Sequence, residues 1–432
     1  MNKLSLPELR FLFIGVGGVS MLSIAHILIS MGHKVYGTDT VGEFNGSIIN
    51  IKETDNIPLD VQIVVYNTDI QNNHHHMIQA RERNLSIVHR STILEWITKD
   101  RLKLSVTGGS GKTSTTFYLY QLLNFLNKDP FVFMGERTFK NDLSYSEGKG
   151  PYVVEINEAD FKFHNQTSDW LIVTNYGVDH IWLYKNNDNN LNEEEDWQTY
   201  WQEMIDRSKY LIFFHDDENL RKFYENRKDP HIKIGFSYGM NGGDLKIKEI
   251  HESLNNIKFS FMLENIEYNG EINLHGSFNV LNVCATILLI HKAFNISVEE
   301  ILIHLPKLKH SKRRMEIIYE DTERIIFDDQ ALTPKEISVV LSSVKKYKKP
   351  IYILLDPFRD IRVNYFFNEF CEVIKPYIFA STYEQFWHLP NCIPIKTNDD
   401  FKEFLNNKGV ICLLYKGFKW KPLVNEKFNN YI

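Results

Sequence analysis

At 432 residues and 50.9 kDa the chain is too long for one ordinary domain, and a hydrophobic content of 43% leaves ample apolar surface for several cores. Forty-nine Lys+Arg against fifty-five Asp+Glu give a net charge of −6, which argues against a protein built mainly to neutralise nucleic-acid phosphates. The four cysteines, Cys284, Cys371, Cys392 and Cys412, form no CxxC pair, so a disulfide framework or zinc knuckle is not expected and a reducing cytoplasm is the natural compartment.

The first hundred residues alternate apolar runs with helical periods: LRFLFIGVG, MLSIAHILISMG, KVYGTD, VQIVVYN, MIQARERN and LSIVHR. That alternation predicts parallel βαβ units. Phe11 to Ser30 carries no charged side chain, which is nearly the length of a membrane span. Gly15, Gly17 and Gly18 interrupt it early, and a strand, a glycine turn and an apolar helix explain it better than insertion or export. Gly15-Val-Gly-Gly18 with Asp39 after the second strand resembles a dinucleotide fingerprint, but Met21 stands where its last glycine belongs. It signals a pyrophosphate at a helix N-terminus better than it signals NAD. His74–His76 point in different directions on a helix, so a surface loop or helix start is expected and no metal.

A second α/β unit begins with LKLSVTGG near Leu102 and continues through YVVEIN and DWLIVTN. Val106-Thr-Gly-Gly-Ser-Gly-Lys-Thr-Ser-Thr-Thr116 lies between a predicted strand and helix, as a phosphate-cradling loop does. Lys112 would reach the β/γ-phosphates and the Thr113 hydroxyl a Mg²⁺ ion, although Val106 replaces the outer glycine of the general pattern. Glu155 and His180 each follow an apolar strand and would project from the C-terminal edge of the same sheet. A carboxylate and an imidazole there can hold a metal that phosphates also ligate. The Asn- and Glu-rich segment Lys185 to Trp197 reads as a solvated loop or insertion. Strand-like alternation (IKFSFMLEN, IEYNGEINL), an apolar helix from Asn279 to about Phe294, and a third, smaller α/β unit from about Arg314 follow.

Together these segments resemble the Mur ligases, the ATP-dependent amino-acid ligases of peptidoglycan assembly, over nearly the whole chain and in order. FIGVGGVSMLSIAHILISMGHKVYGTD resembles their UDP-binding unit and VTGGSGKTSTT their ATP loop. VVEINEAD, TNYGVDH, HGSFNVLNVCAT, HSKRRMEII and IIFDDQALTPKEI resemble further segments. The resemblance implies an α/β fold of three domains: a Rossmann-like UDP-sugar domain (1–100), a central parallel sheet of P-loop ATPase type (101–310) and a Rossmann-like amino-acid-binding domain (311–432). It implies catalysis by Lys112, Glu155, His180, Arg314 and Asp329, and a metal held by Thr113, Glu155 and His180. ATP would meet Gly108, Gly109, Ser110, Gly111, Lys112, Thr113 and Ser114, with Asn279, Asn282, Arg314 and Asp329. UDP-N-acetylmuramate would meet Gly15, Gly17, Gly18 and Asp39, and a small amino acid Arg359 and Arg362.

The implied reaction joins L-alanine to the carboxylate of UDP-N-acetylmuramate through an acyl phosphate, with ATP and Mg²⁺, in a monomer or homodimer that neither binds nucleic acid nor inserts in a membrane. The only lysine between His180 and Lys209 is Lys185, so the carbamylated lysine of some relatives has no counterpart in the helix after the D-H motif, as in the branch that adds L-alanine. Phe278, Gln330 and Leu332 depart from the family pattern, and the last two fall in its amino-acid pocket. Addition of another amino acid or of a recycled peptide therefore stays open. So do two readings of other classes, an NAD-dependent oxidoreductase and a non-catalytic nucleotide-binding relic.

Overall fold

The computed structural model describes residues 7–40, 47–136, 138–139, 143–157, 167–177, 193–227, 234–357, 360–415 and 419–428, and the backbone alone of 193–196. Among these residues the protein is α/β, with three sheets, most of whose strands are parallel. His180 and Arg359 lie outside the described residues.

The first sheet has five parallel strands in the order Ile49–Asn50, Lys34–Thr38, Arg10–Ile14, Ile63–Tyr66, Ser86–His89. RFLFI is buried because helices cover both faces of a parallel sheet. The charge-free stretch that follows becomes a glycine turn and the helix Val19–Ser30, twelve residues long. No helix among the described residues is long and apolar enough to cross a membrane. The helix is apolar nearly all round because it serves two partners. Ile24, Ala25 and Leu28 share one core cluster with Phe133, Val154 and Trp201 of the next unit. The Ser23 hydroxyl, fully buried, accepts hydrogen bonds from the Ser144 amide (3.0 Å) and hydroxyl (2.8 Å).

The second sheet has ten strands. Lys103–Thr107 lies between Tyr152–Glu155 and Ser168–Val173, all parallel, so the C-terminal ends of these strands open on one edge. The helix Lys112–Phe125 crosses back over them and packs against the helix Asn279–Phe294. An antiparallel extension, Leu245–Glu252, Ile257–Leu263 and Ile266–Ile272, continues the sheet on one side. The third sheet has six strands, parallel apart from Glu316–Glu320 against Ile325–Asp329, and its two core clusters contain no buried residue of the other units.

The helix start expected at the histidines is present: His75–Glu82 is a helix with His74 at its N-cap, and within it His76 is fully buried, its Nε2 2.9 Å from the Asp55 carbonyl. One local expectation needs correcting. The polar segment expected to run as a loop to Trp197 instead enters the helix Glu193–Asp206. Trp197 is fully buried in it and donates its indole N–H to the Gly177 carbonyl at 3.0 Å. Charged residues at the start of that helix masked the apolar face beyond them.

Candidate active site

The strand Lys103–Thr107 is wholly buried, and the chain leaves it through Gly108 and Gly109. Gly108 has φ +144°, and a Cβ there would stand 1.9 Å from the Thr174 hydroxyl; a Cβ on Gly109 would stand 2.6 Å from the Gly177 Cα. Only glycine fits such approaches. The close packing is held by Thr174 and Asn175: the Ser110 carbonyl accepts from the Thr174 hydroxyl (2.6 Å) and the Asn175 amide (2.9 Å), while the Ser110 N–H donates to Asn175 Oδ1 (3.1 Å). Gly111, at φ +81°, caps the helix Lys112–Phe125. Lys112 curls over the loop and donates to the Gly108 carbonyl at 2.6 Å. Val106, where the general pattern has glycine, is a fully buried strand residue and takes no part in the turn.

Glu155 and Thr113 meet at the floor of the site. The Thr113 hydroxyl donates to Glu155 Oε1 at 3.0 Å, and Glu155 Oε2 accepts the Gly135 N–H at 3.0 Å. From the third unit, Arg314 Nη2 reaches the Thr113 hydroxyl at 3.4 Å and Nη1 the Gln330 carbonyl at 3.4 Å. Burial opposes the charge of Arg314, but Glu136, Asp329, Glu336 and Glu155 outweigh it and raise its pKa. Burial pushes Asp329 up to about 6, against the pull of Arg314 and the Met315 N–H. These groups face a cavity of about 420 Å³, walled by the glycine loop, by Glu136 and Glu155, by the start of the asparagine helix, and by Gln330, Leu332 and Arg362.

The hard oxygen donors of Thr113 and Glu155 suit Mg²⁺, which commonly takes one or two protein oxygens and fills its shell with phosphate and water. Among the described residues no group of three His, Cys, Asp or Glu stands ready to hold a metal by itself.

Other candidate residues are placed differently. Asn279 lines the cavity, but its Oδ1 accepts from the Tyr118 hydroxyl (3.0 Å) and from Asn282 (3.1 Å), and its Nδ2 donates to the His275 carbonyl (2.8 Å). It ties two helices together. Asn282 abuts the glycine loop, 2.8 Å from where a Gly111 Cβ would stand. Arg362 is 3% exposed and donates to the Pro357 carbonyl at 3.0 Å, so it is no solvated surface arginine.

In the first unit Gly15 has φ +75°, and the amides of Gly15 and Val16 donate to the Thr38 carbonyl, that of Gly18 to Gly15, and that of Gly17 to Asp39 Oδ2 at 2.9 Å. The glycines and Asp39 thus bond to one another and to the second strand. An anion arriving there would meet the first turn of the helix beyond Gly18, whose amides have no intrahelical acceptor. Glu136 was missed by sequence reasoning; Thr174 and Asn175 open the TNYGVDH segment, which the resemblance marked without giving either residue a role.

A glycine loop between strand and helix, a threonine and a glutamate at its mouth, and an arginine brought from a separate sheet define a P-loop-type α/β protein assembled from three units. Two family models match, the Mur ligase family, catalytic domain over residues 10–101 and the Mur ligase middle domain over residues 106–290. The chain belongs to the Mur ligase family. It is 29% identical over 382 residues to the UDP-N-acetylmuramate–L-alanine ligase of Hydrogenobaculum sp. (strain Y04AAS1), spanning 85% of this chain and 82% of that protein. It is 29% identical to the protein of that name from Clostridium kluyveri (strain ATCC 8527), over 83% and 79% of the two chains. Among solved structures, the UDP-N-acetylmuramate-alanine ligase of Thermotoga maritima matches with a TM-score of 0.80 at 20% identity, covering 98% of each chain. A murein peptide ligase from Psychrobacter arcticus matches with 0.69 at 17% identity, covering 98% of this chain and 99% of the other.

Proposed function

We propose that this chain is an ATP-dependent ligase that joins L-alanine to the carboxylate of UDP-N-acetylmuramate in peptidoglycan precursor synthesis. The observation that carries the reading is the meeting of Thr113, Glu155 and Arg314 at the glycine loop: two sheets contribute to one polar floor, in a chain aligned over 85% of its length with an enzyme of that name. A carboxylate does not acylate an amine at neutral pH, because its oxygen is a poor leaving group. Transfer of the ATP γ-phosphoryl to the sugar carboxylate releases ADP and yields an acyl phosphate, which the amine then attacks, expelling inorganic phosphate and losing a proton as the amide forms. Catalysis of that kind is mostly positioning and charge neutralisation.

In this reading the loop amides and Lys112 hold the phosphates, and Lys112 leaves the Gly108 carbonyl to do so. Thr113 and Glu155, with His180, would hold Mg²⁺, which supplies positive charge beside the phosphates. Arg314 adds a cation from the third unit, and Asp329 fixes the Met315 amide beside it. Arg362, with Arg359, would hold the amino-acid carboxylate. The UDP-sugar would sit at the first unit, near Gly15, Gly17, Gly18 and Asp39, and a cytoplasmic site of action follows from such substrates.

A second reading, attachment of a peptide in place of alanine, is favoured by one observation. Gln330 turns to Glu136 (3.1 Å) and Leu332 lines the cavity, so the wall differs from the family pattern where the amino acid is expected. Release of ADP from ATP, Mg²⁺ and UDP-N-acetylmuramate, with each amino acid and with L-alanyl peptides in turn, separates the two. ADP formation that depends on L-alanine is expected. Formation with a peptide and not with alanine would overturn the first reading in favour of the second.

A further inference from the structure

The segment leading into the helix Asn279–Phe294 is gripped from two units at once. Glu252 ends the strand Leu245–Glu252, and its Oε1 and Oε2 accept the Gly276 and Ser277 amides at 3.0 Å each. The helix has Phe278 at its N-cap with no side-chain cap, so this carboxylate is the anion at the positive end of its dipole. Glu252 Oε1 also accepts Lys346 Nζ at 2.8 Å, and Lys346 belongs to the third unit, in the turn Lys345–Tyr347. The two side chains are only 15% and 17% exposed. Lys346 donates further to the Ser253 carbonyl at 3.2 Å and lies 3.5 Å from His275 Nδ1. Phe278 packs against the core of the third unit.

What happens at residues 276–278 is passed on. The next residue, Asn279, is tied to Tyr118 of the P-loop helix, and about one turn later Asn282 abuts Gly111, the residue that caps that helix. A path therefore runs from Lys346 through Glu252 and the Gly276 and Ser277 amides, and along the first turn of the helix, to Asn282 and Gly111.

We propose that Glu252 and Lys346 are positioning residues for the nucleotide site: they hold the start of the asparagine helix against Gly111, and they make that hold depend on docking of the third unit. The inference rests on the reading of the glycine loop as the ATP site. Coupling between two binding events is reciprocal, so docking of the third unit tightens nucleotide binding and a bound nucleotide favours docking.

The test uses the full-length protein and the analogue β,γ-imido-ATP with Mg²⁺, binding measured by calorimetry and ligation by ADP release. Lys346→Met should weaken analogue binding about 5- to 150-fold, the range of ordinary coupling energies. KM for ATP should rise in step, while KM for the UDP-sugar and the thermal midpoint stay near wild type. Lys346→Arg should restore most of the affinity, and adding Lys346→Met to Glu252→Gln should cost little beyond Glu252→Gln alone. Analogue affinity within two-fold of wild type in a folded Lys346→Met protein would overturn the inference, as would additive losses in the double variant. A wild-type protein that takes up no analogue would overturn the ATP reading and this inference together.

Discussion

The two joints of this molecule are built from different materials. Between the first and second sheets the core is continuous: Phe11, Ile24 and Leu28 belong to one apolar cluster with Phe133, Val154 and Trp201, and the Ser23–Ser144 pair is sealed inside it. Between the second and third sheets the clusters are separate, and Phe278 is the main apolar side chain that crosses. Among the described residues the polar contacts that cross are Thr113 with Arg314, Glu136 with Gln330 and Glu252 with Lys346, and the His275 ring meets Phe327 edge-on. Apolar burial is lost in full when such surfaces part, whereas sheltered polar pairs exchange for water at a net cost of about 1 kcal/mol each. The first joint is therefore a fixed foundation and the second a separable one, and the candidate active site is at the separable one.

Four changes would break or sharpen that contrast. Lys112→Ala strikes the glycine loop beside the second joint without touching either core. Ligation should fall by about 100- to 1,000-fold, the usual cost of one electrostatic contact to developing charge, while the urea midpoint stays put. Turnover near wild type in the purified variant would remove the glycine loop from the chemistry. In Leu28→Ala the fixed joint loses a fully buried side chain, at a cost of about 2–5 kcal/mol in denaturant unfolding, with KM for ATP unaltered. If that variant were as stable as wild type, the cluster would not be holding the two units together.

Ser23→Ala removes the acceptor of the buried Ser144 amide and should cost about 1–3 kcal/mol by the same measurement. A neutral result would mean that the joint readily readjusts around the serine pair. The mildest effect is expected from acid. Burial, with the positive neighbours Lys346 and, for His310, His275, lowers His275 to about 4 and His310 to about 3, although Glu252 raises His275. The neutral ring is needed, because His310 Nε2 accepts the His275 amide at 2.8 Å. Folded pKa values below the unfolded value mean that stability is fully present above about pH 6.5 and falls as pH drops through 6.5 toward 4 and 3. Between pH 7 and 6 the loss should be at most roughly 0.7 kcal/mol per ring. A urea midpoint that is flat across that interval, or that falls equally in His310→Gln, would place the acid sensitivity elsewhere.

Local pattern carried the reading of the elements that position the site. RFLFI, KLSVT and YVVE are short apolar runs that glycines or a charge terminate, and the asparagine helix begins at Asn279 and ends at Phe294 as its periodicity implies. Patterns of that kind depend on residues a few positions apart. Contacts between residues far apart in the chain carry no such signature, and several mattered. Thr174 and Asn175 buckle a loop some sixty-five residues away. Trp197 was hidden behind a charged helix start, the burial of His76 against the Asp55 carbonyl had no local cue, and Asp39 proved to hold Gly17.

The sequence by itself determined the strand–turn–helix order, the glycine loop with Lys112 and Thr113, and the division into three α/β units, because periodicity and the steric freedom of glycine act within a few residues. Only the tertiary structure decided that Arg314 reaches Thr113, that Gln330 faces Glu136, and that Lys346 and Glu252 hold the entry to the asparagine helix. Each of those contacts depends on how two separate cores dock, and no local preference of the chain encodes that docking.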